Sequence, residues 1–299
     1  KLIDICRALP PEATLDFQTE QDRAVLRAGK SRFTLSTLPA DDYPSFDAIE
    51  AEAVFKLGQG TLKRLIELTH FAMAHQDVRY YLNGLMLEIS TNRLRAVATD
   101  GHRLAIADVE MQVDGVSETR TVILPRKGVM ELLRLLNAGD EEVSVAVSAN
   151  QVRIALEGVE FTSKLIDGKF PDYERVIPQV DESDKQVFVD RELLRQSLAR
   201  ASILSNDKYR AIRLNLDSGV LRLMASNPEQ EEAEDEVEVE YDGESLEIGF
   251  NVSYLIDALA NLPAETASIH LTDASSSCLI TAQGEDEGGC QYVVMPMRL

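Results

Sequence analysis

Four stretches of this chain carry the same apolar tetrad at i, i+3, i+4 and i+7, and they recur at a near-constant interval. The tetrads are Leu2/Ile5/Cys6/Leu9, Leu62/Leu65/Ile66/Thr69, Val129/Leu132/Leu133/Leu136 and Val252/Leu255/Ile256/Leu259. A fifth stretch, with Leu193, Leu194 and Leu198, fills the gap between the last two. This spacing predicts amphipathic helices, each burying one stripe and leaving the opposite face free. Corresponding helices lie about 125 residues apart, with an intermediate one roughly halfway. A long period with a half-period inside it indicates duplicated domains that are themselves duplicated.

Strand-like segments follow each helix. After the second come Leu85–Ser90, Leu94–Thr99 and Arg103–Val109; after the third come Glu142–Val147, Val152–Leu156 and Val159–Leu165. Turn signals such as Asp167–Gly168 and Asp217–Ser218–Gly219 punctuate them. The repeating unit is strand–helix–three strands, roughly 60–65 residues long. Two units make a domain in which two helices cover one face of antiparallel sheets, an α+β architecture. The repeat extends to individual residues: SRFTLSTLPADDYP (31–44) and VEFTSKLIDGKFPDY (159–173) share a Phe-Thr pair, 128 residues apart, and an acidic, Pro-containing exit.

Boundaries are expected near 50 and near 182, where Pro and acidic residues cluster without periodicity. Residues 54–180 and 184–299 then form two domains, and residues 1–50 the second half of another. Half a domain cannot bury its helix stripe, so about 70 residues are expected to precede Lys1 in the complete protein. The acidic run Glu229–Glu240 ends in a Glu-Val-Glu-Val-Glu alternation, which predicts an edge or half-buried strand facing water.

At 299 residues, 44% hydrophobic and 27% charged, the composition is that of a globular protein with two or three cores. No apolar run approaches the length of a membrane span, and there is no secretory leader pattern. The three cysteines, Cys6, Cys278 and Cys290, have no metal-ligand spacing, and Cys6 reads as a small core residue on its stripe. A reduced, cytoplasmic protein is expected.

A net charge of −21 argues against nucleic acid binding until the charges are mapped. The helical stretches 1–9, 61–79, 126–136, 190–210 and 251–262 hold 13 basic and 8 acidic residues, whereas the remainder holds 17 basic and 43 acidic. Basic helices on an acidic framework predict two surfaces that face different surroundings. Lys and Arg are also good helix formers on any solvated face, which would give the same count.

Catalytic constellations are absent from the pattern. His70, His75, His102 and His270 are scattered through different elements. Asp100-Gly101-His102 reads as a turn before it reads as an acid/base or metal pair. Gly58-Gln59-Gly60 lacks the Lys-Ser/Thr ending of a phosphate loop. No cofactor or metal is expected, and a binding role leads.

Several longer strings carry a family resemblance: HQDVRYYLNG (75–84), ATDGHRLA (98–105), LPRKG (124–128), DGKFPDYERVIP (167–178), ASNPEQEEAE (225–234), IGFNVSYLIDAL (248–259) and YVVMPMRL (292–299). With them the chain resembles the bacterial DNA polymerase III β subunit family, the sliding clamps, over essentially its whole length. The resemblance implies tandem clamp domains, two subunits closing head-to-tail into a ring with helices inside, and a non-catalytic processivity role. Such a ring holds duplex DNA topologically, and its basic helices attract phosphates without reading sequence.

The resemblance also implies site residues. His75, Gln76, Arg79, Tyr80 and Tyr81 are expected to approach DNA, with Arg126, Lys127 and Arg210 as further contacts. Short peptides from polymerase subunits, the clamp loader and repair polymerases are expected in one pocket per subunit. Its implied lining from the second domain is Leu82, Thr99, Gly101, His102, Arg103 and Leu104; from the linker side, Pro171, Arg175 and Val176. Tyr209, Asn251, Tyr254, Ser277 and the tail Val293, Val294, Met295, Pro296, Met297 and Arg298 complete it. Ser275 is a polar departure from the family lining. Met and aliphatic groups adapt to varied apolar anchors, while His and Arg orient the peptide. The rival readings are a metal-dependent hydrolase or nuclease centred on Asp100 and His102, and a scaffold that never meets DNA.

Overall fold

The computed structural model describes residues 1–43, 50–113, 116, 118–180, 185–283 and 289–298. They form two compact units, Lys1–Ala48 and Ile49–Leu299. The boundary expected near 182 lies outside the described residues, and the one near 50 adjoins residues 44–49, which also lie outside them.

The first unit holds α1 (Leu2–Ala8) and an antiparallel sheet of β1 (Asp16–Glu20), β2 (Arg23–Ala28) and β3 (Ser31–Ser36), in the order β1-β2-β3. Its buried side chains, Ala24, Val25, Leu26 and Ala28, all sit on the central strand. No residue of α1 is buried, and Cys6 is exposed, so the expectation of a core thiol is corrected. The stripe is present in the sequence, but nothing in this unit covers it.

The second unit repeats one pattern four times. It runs β4 (Ala53–Gly58), α2 (Gln59–Glu67), β5 (Gly84–Ile89), β6 (Arg93–Thr99), β7 (Arg103–Glu110); then β8 (Arg120–Pro125), α3 (Arg126–Leu135), β9 (Glu142–Val147), β10 (Gln151–Leu156), β11 (Val159–Lys164). The third set is β12 (Lys185–Asp190), α4 (Arg191–Ala201), β13 (Ala211–Asp217), β14 (Val220–Ser226), β15 (Glu232–Glu238). The fourth is β16 (Leu246–Asn251), α5 (Val252–Asn261), β17 (Thr266–Leu271), β18 (Cys278–Ala282), β19 (Cys290–Val294). Each is the strand–helix–three-strand unit predicted from periodicity.

The sheets interlock neighbouring units. The strand before a helix does not join the three strands after it; it crosses to the other unit of its pair. Thus β4 pairs with β9, β8 with β5, β12 with β17 and β16 with β13, all antiparallel. Two four-stranded sheets result, β11-β10-β9-β4 and β15-β14-β13-β16. The remaining strands merge into one eight-stranded sheet, β12-β17-β18-β19-β7-β6-β5-β8, because β19 pairs with β7 from Val294↔Arg103 to Cys290↔Ala107. The acidic segment forms β15, an edge strand as its alternation predicts.

Helix stripes meet the sheets in one continuous apolar core that includes Leu62, Leu65, Ile66, Val129, Leu132, Leu198, Val252, Leu255 and Leu259. α2 packs on α3 and α4 on α5. Asp190 and Asn251 cap α4 and α5 by accepting the Leu193 and Ser253 amides. Leu193 is 58% exposed and Leu198 fully buried, which removes Leu193 from the stripe predicted for that helix. The helical stretches 61–79 and 190–210 are also shorter than expected, α2 ending at Glu67 and α4 at Ala201. The Thr69 hydroxyl donates to the Leu65 carbonyl at 2.6 Å and the His70 ring faces the Ile66 carbonyl at 3.0 Å, satisfying groups that another helical turn would have used. Short 3-10 turns at His70–Ala72, Tyr80–Leu82, Tyr173–Val176 and Ser202–Leu204 carry the chain onward.

A second, smaller core covers the far side of the eight-stranded sheet. Strand alternation sends Met86, Val97, Leu104, Ile106, Leu279 and Val293 to this side, where Ile166, Phe170, Tyr173 and Ile177 of the segment after β11 lie across them. That segment therefore crosses the β7–β19 junction.

Candidate peptide-binding site

The junction opens into a cavity of ≈ 190 Å³. Its floor is the paired ends of β6, β7 and β19: Thr99, Leu104 and Val293. One wall is the turn carrying Tyr81 and Leu82, with Arg79 before it; the other is Pro171, Asp172, Tyr173 and Val176; Gly101, Arg103 and Met295 close the rim. The lining is predominantly apolar, with a few hydrogen-bonding groups at its edge, the composition of a site for side-chain anchors.

The rim loop is shaped by its own sequence. Asp100 accepts hydrogen bonds from the His102 and Arg103 amides at 2.9 and 3.1 Å and from Arg103 Nε at 3.1 Å. The Thr99 hydroxyl donates to the Arg103 carbonyl and accepts the Gly101 amide. Gly101 has φ +89°, and a Cβ there would come within 2.8 Å of the Arg79 guanidinium. The positive φ favours glycine, while a Cβ would also push the Arg79 guanidinium aside. Arg79 packs against it while its guanidinium pairs with Asp77 at 2.8 Å and donates to the Asp100 carbonyl. Hydrogen bonds from Arg79 hold the Asp77 carboxyl down at about 2.

Arg103 joins the rim to α5. Its Nη1 donates to Asp257 at 2.5 Å and its Nη2 to the Phe71 carbonyl at 2.8 Å. Its guanidinium lies 4.6 Å from the Tyr254 ring centre and 5.5 Å from that of Phe71. The His102 ring stacks on Tyr254 at 6.4 Å. Burial, then Asp100, push the Tyr254 hydroxyl above its usual range. The tail continues this side of the site: the Met295 amide donates to the His102 carbonyl and the Met297 amide to the Gly249 carbonyl, tying the end of β7 to β16.

The opposite wall is held by Tyr173. Its hydroxyl accepts from Arg95 Nη1 at 3.2 Å and donates to Glu88 at 3.2 Å, while its ring is buried in the smaller core. Arg95 is held in turn by Asp108 at 2.8 Å.

Nine of the nineteen residues expected in a peptide pocket line this cavity: Leu82, Thr99, Gly101, Arg103, Leu104, Pro171, Val176, Val293 and Met295. His102, Tyr254, Pro296 and Met297 belong to the adjoining tail side. Asn251 spends its side chain capping α5. Arg175 pairs with Asp172 at the surface, Arg298 is exposed, and Tyr209 is exposed under Lys208. Ser277 is half-buried beside β18, and Ser275 bonds to Asp273. Val294 is corrected: alternation along β19 sends Val293 to the cavity and Val294 into the helix-side core. Arg79 and Tyr81, expected at DNA, line the cavity, and Asp172 and Tyr173 join them. Tyr173 belongs to DGKFPDYERVIP (167–178), but no periodicity marks a side chain that acts from a connecting segment.

Of the remaining residues expected at DNA, His75, Gln76, Tyr80 and Lys127 are exposed, with Val78 between them 95% exposed. Arg126 donates to the Met73 carbonyl at 3.1 Å. Arg210, at φ +50°, lies 3.4 Å from the Ser253 hydroxyl.

The hydrolase reading finds no constellation. Asp100 is taken up by donors of its own loop and His102 faces Tyr254. Among the described residues no three His, Cys, Asp or Glu side chains cluster as metal ligands. Burial pushes the Cys278 thiol up to about 12, out of nucleophilic range. No helix among the described residues is long and apolar enough to cross a membrane.

Comparison with known proteins bears on the family and the fold. Family models of the DNA polymerase III beta subunit match residues 1–47 (N-terminal domain), 56–172 (central domain) and 174–298 (C-terminal domain). A "Beta sliding clamp" from Pseudomonas putida is 51% identical over 299 residues, covering 100% of this chain and 80% of the relative. The crystal structure of the DNA polymerase III subunit beta from Pseudomonas aeruginosa superimposes with a TM-score of 0.92 at 50% identity, over 99% of this chain and 80% of that one. A DnaN sliding clamp from the same organism, bound to griselimycin, gives a TM-score of 0.90 at 50% identity, over 100% and 79% of the two chains. Matched by three consecutive family models and by a half-identical relative along its whole length, the chain belongs to the DNA polymerase III beta subunit family, the bacterial sliding clamps.

Proposed function

We propose that this chain is a DNA sliding clamp, a non-catalytic processivity factor that encircles duplex DNA and tethers polymerase subunits, the clamp loader and repair polymerases through the cavity at the β7–β19 junction. The observation that carries the tethering half is the apolar cavity itself, rimmed by Arg103 and Met295 and walled by Tyr173. The cytoplasm is its proposed compartment, and the domain limits 1–50, 54–180 and 184–299 are its proposed organisation. The basic excess on the helices, with Lys127 exposed at the start of α3, supports sequence-independent attraction to phosphates.

The test is fluorescence anisotropy with a labelled peptide of the form Gln-Leu-x-Leu-Phe, against the chain and a version lacking Met295–Leu299. Binding on the order of micromolar is expected for the intact chain. It should be lost with the tail, since the deletion removes the Met295 wall and both hydrogen bonds tying the tail to His102 and Gly249. Equal binding by both versions would move the site elsewhere.

Ring closure has a template inside the chain. At the β7–β19 junction, the third strand of one set pairs with the third strand of another. β3 corresponds to β11 through the shared Phe-Thr repeat, so β3 and β15 are candidate partners between two copies. Each has one edge without a strand neighbour among the described residues. Charges favour the match: β15 carries Glu232, Glu234, Asp235, Glu236 and Glu238, while β2, β3 and the turn between them carry Arg23, Arg27, Lys30 and Arg32. Ile203, 77% exposed on the turn packed against β15, adds an apolar contact. With α1 uncovered in the first unit, the joint is expected to be weak in this chain. Light scattering at micromolar concentration should give a mass near one chain; a two-chain mass would show that β3 alone suffices.

A further inference from the structure

Beside the apolar cavity, on the same side of the eight-stranded sheet, lies a second cavity of ≈ 280 Å³ with a polar lining. Its groups lie in two neighbouring rows across four adjacent strands, offset by two residues along β7. Arg95 on β6 is paired with Asp108 on β7, Ile106 on β7 with Gln291 on β19, and Gln291 with Thr281 on β18. The two cavities share a wall, since Tyr173 lines the first and its hydroxyl accepts from Arg95 of the second at 3.2 Å. Leu104 and Ile106 are two residues apart on one strand, as are Val293 and Gln291, and Thr99 and Arg95 are four apart. The centres are therefore about 10 Å apart, the reach of roughly three to four extended residues.

At one end of this space the backbone packs closely against Asp108. Gly289 has φ +59°, and a Cβ there would approach the Asp108 carbonyl oxygen to 2.6 Å and its carboxylate to 2.7 Å. Its carbonyl instead accepts the Asp108 amide at 3.0 Å, which extends the β7–β19 pairing by one step.

Charge decides what fits. Arg95 and Asp108 neutralise one another at 2.8 Å, so the site offers no net charge to an ion. Thr281 and Gln291 supply both donors and acceptors, the complement of an amide or hydroxyl. We propose that this polar cavity is a subsite for the residues of the partner peptide that flank its apolar anchors, accepting an uncharged hydrogen-bonding side chain such as Gln or Ser. It rests on the reading of the first cavity as the peptide site.

The experiment compares three labelled peptides by anisotropy: the five-residue core, and the core extended by four residues at its N-terminal or its C-terminal end with Gln and Ser. Versions extended with Gly alone serve as controls. Each is titrated against the chain and against the double variant Thr281→Val/Gln291→Ala. One of the two polar extensions should bind about fivefold tighter than its Gly control, the worth of one net hydrogen bond. The gain should vanish in the double variant while the core peptide binds both proteins equally. No gain from either extension would overturn the subsite and leave the apolar site standing, as would a gain that persists in the double variant. Failure of the core peptide to bind the unaltered chain would overturn the peptide-site reading and this subsite with it.

Discussion

Arg103→Ala is expected to lower the unfolding free energy of the second unit by about 2–3 kcal/mol and to weaken peptide binding at the cavity by about tenfold or more. The side chain is 13% exposed and meets four groups at once: Asp100, Asp257, the Phe71 carbonyl and the Tyr254 ring. Removing one partner of a buried ion pair costs about 3–5 kcal/mol when the other is left uncompensated. Here compensation is partial. Asp100 keeps its two backbone amide donors, and Asp257, 44% exposed, can return to water. The cost therefore falls at or just below the lower end of that range.

Binding suffers separately, because Arg103 lines the cavity and fixes the distance between the rim loop and α5. Arg103→Lys keeps the charge but not the forked contact to Asp257 and Phe71, and should fall between the two proteins in both readouts. Urea unfolding and peptide anisotropy on the same samples separate the effects. Unchanged affinity with lowered stability would make Arg103 a structural tie alone.

The contrast between Val293 and Val294 illustrates how far the sequence can be read. Stripes at i, i+3, i+4 and i+7 predict which helical residues are buried, and Leu62, Leu65, Ile66, Val129, Leu132, Val252, Leu255 and Leu259 are. That pattern is local, and burial of one face follows from it wherever a sheet is available. Where the partner surface is absent, as for α1, the same pattern leaves Cys6 in solvent. Strand ends were legible to within a residue or two, but not the crossing of β4, β8, β12 and β16 into the neighbouring unit's sheet. That choice depends on pairings that reach past at least two intervening strands, from Leu216↔Leu246 to Ala53↔Val147, which no local signal records. The cavity was half legible for the same reason. Residues on strands and the rim loop lie in strings that resemble a known family, whereas the roles of Tyr173 and Arg95 depend on a connecting segment laid across a sheet.

Phe250→Ala should cost about 3–5 kcal/mol, against a change within about 0.5 kcal/mol for Leu193→Ala. Phe250 is fully buried on β16, where it helps seal α4 and α5 onto the sheets, and Leu193 is 58% exposed on α4. The ring already borders a small apolar void of ≈ 20 Å³ shared with Leu194, Leu198, Leu255 and Cys278, so its removal enlarges a space that has not collapsed in the native packing. Cavity enlargement adds to the lost transfer energy, which places the cost in the upper half of the range. The apolar core is continuous from Phe55 on β4 to Val294 on β19, and the eight-stranded sheet runs through it. A defect at Phe250 should therefore lower one shared thermal transition by on the order of 10 °C rather than split off an early one. Calorimetry distinguishes the two. A separate low-temperature transition in Phe250→Ala would mean that the β7–β19 pairing and the segment across it do not couple the two halves, and that peptide binding could persist after β13–β16 had melted.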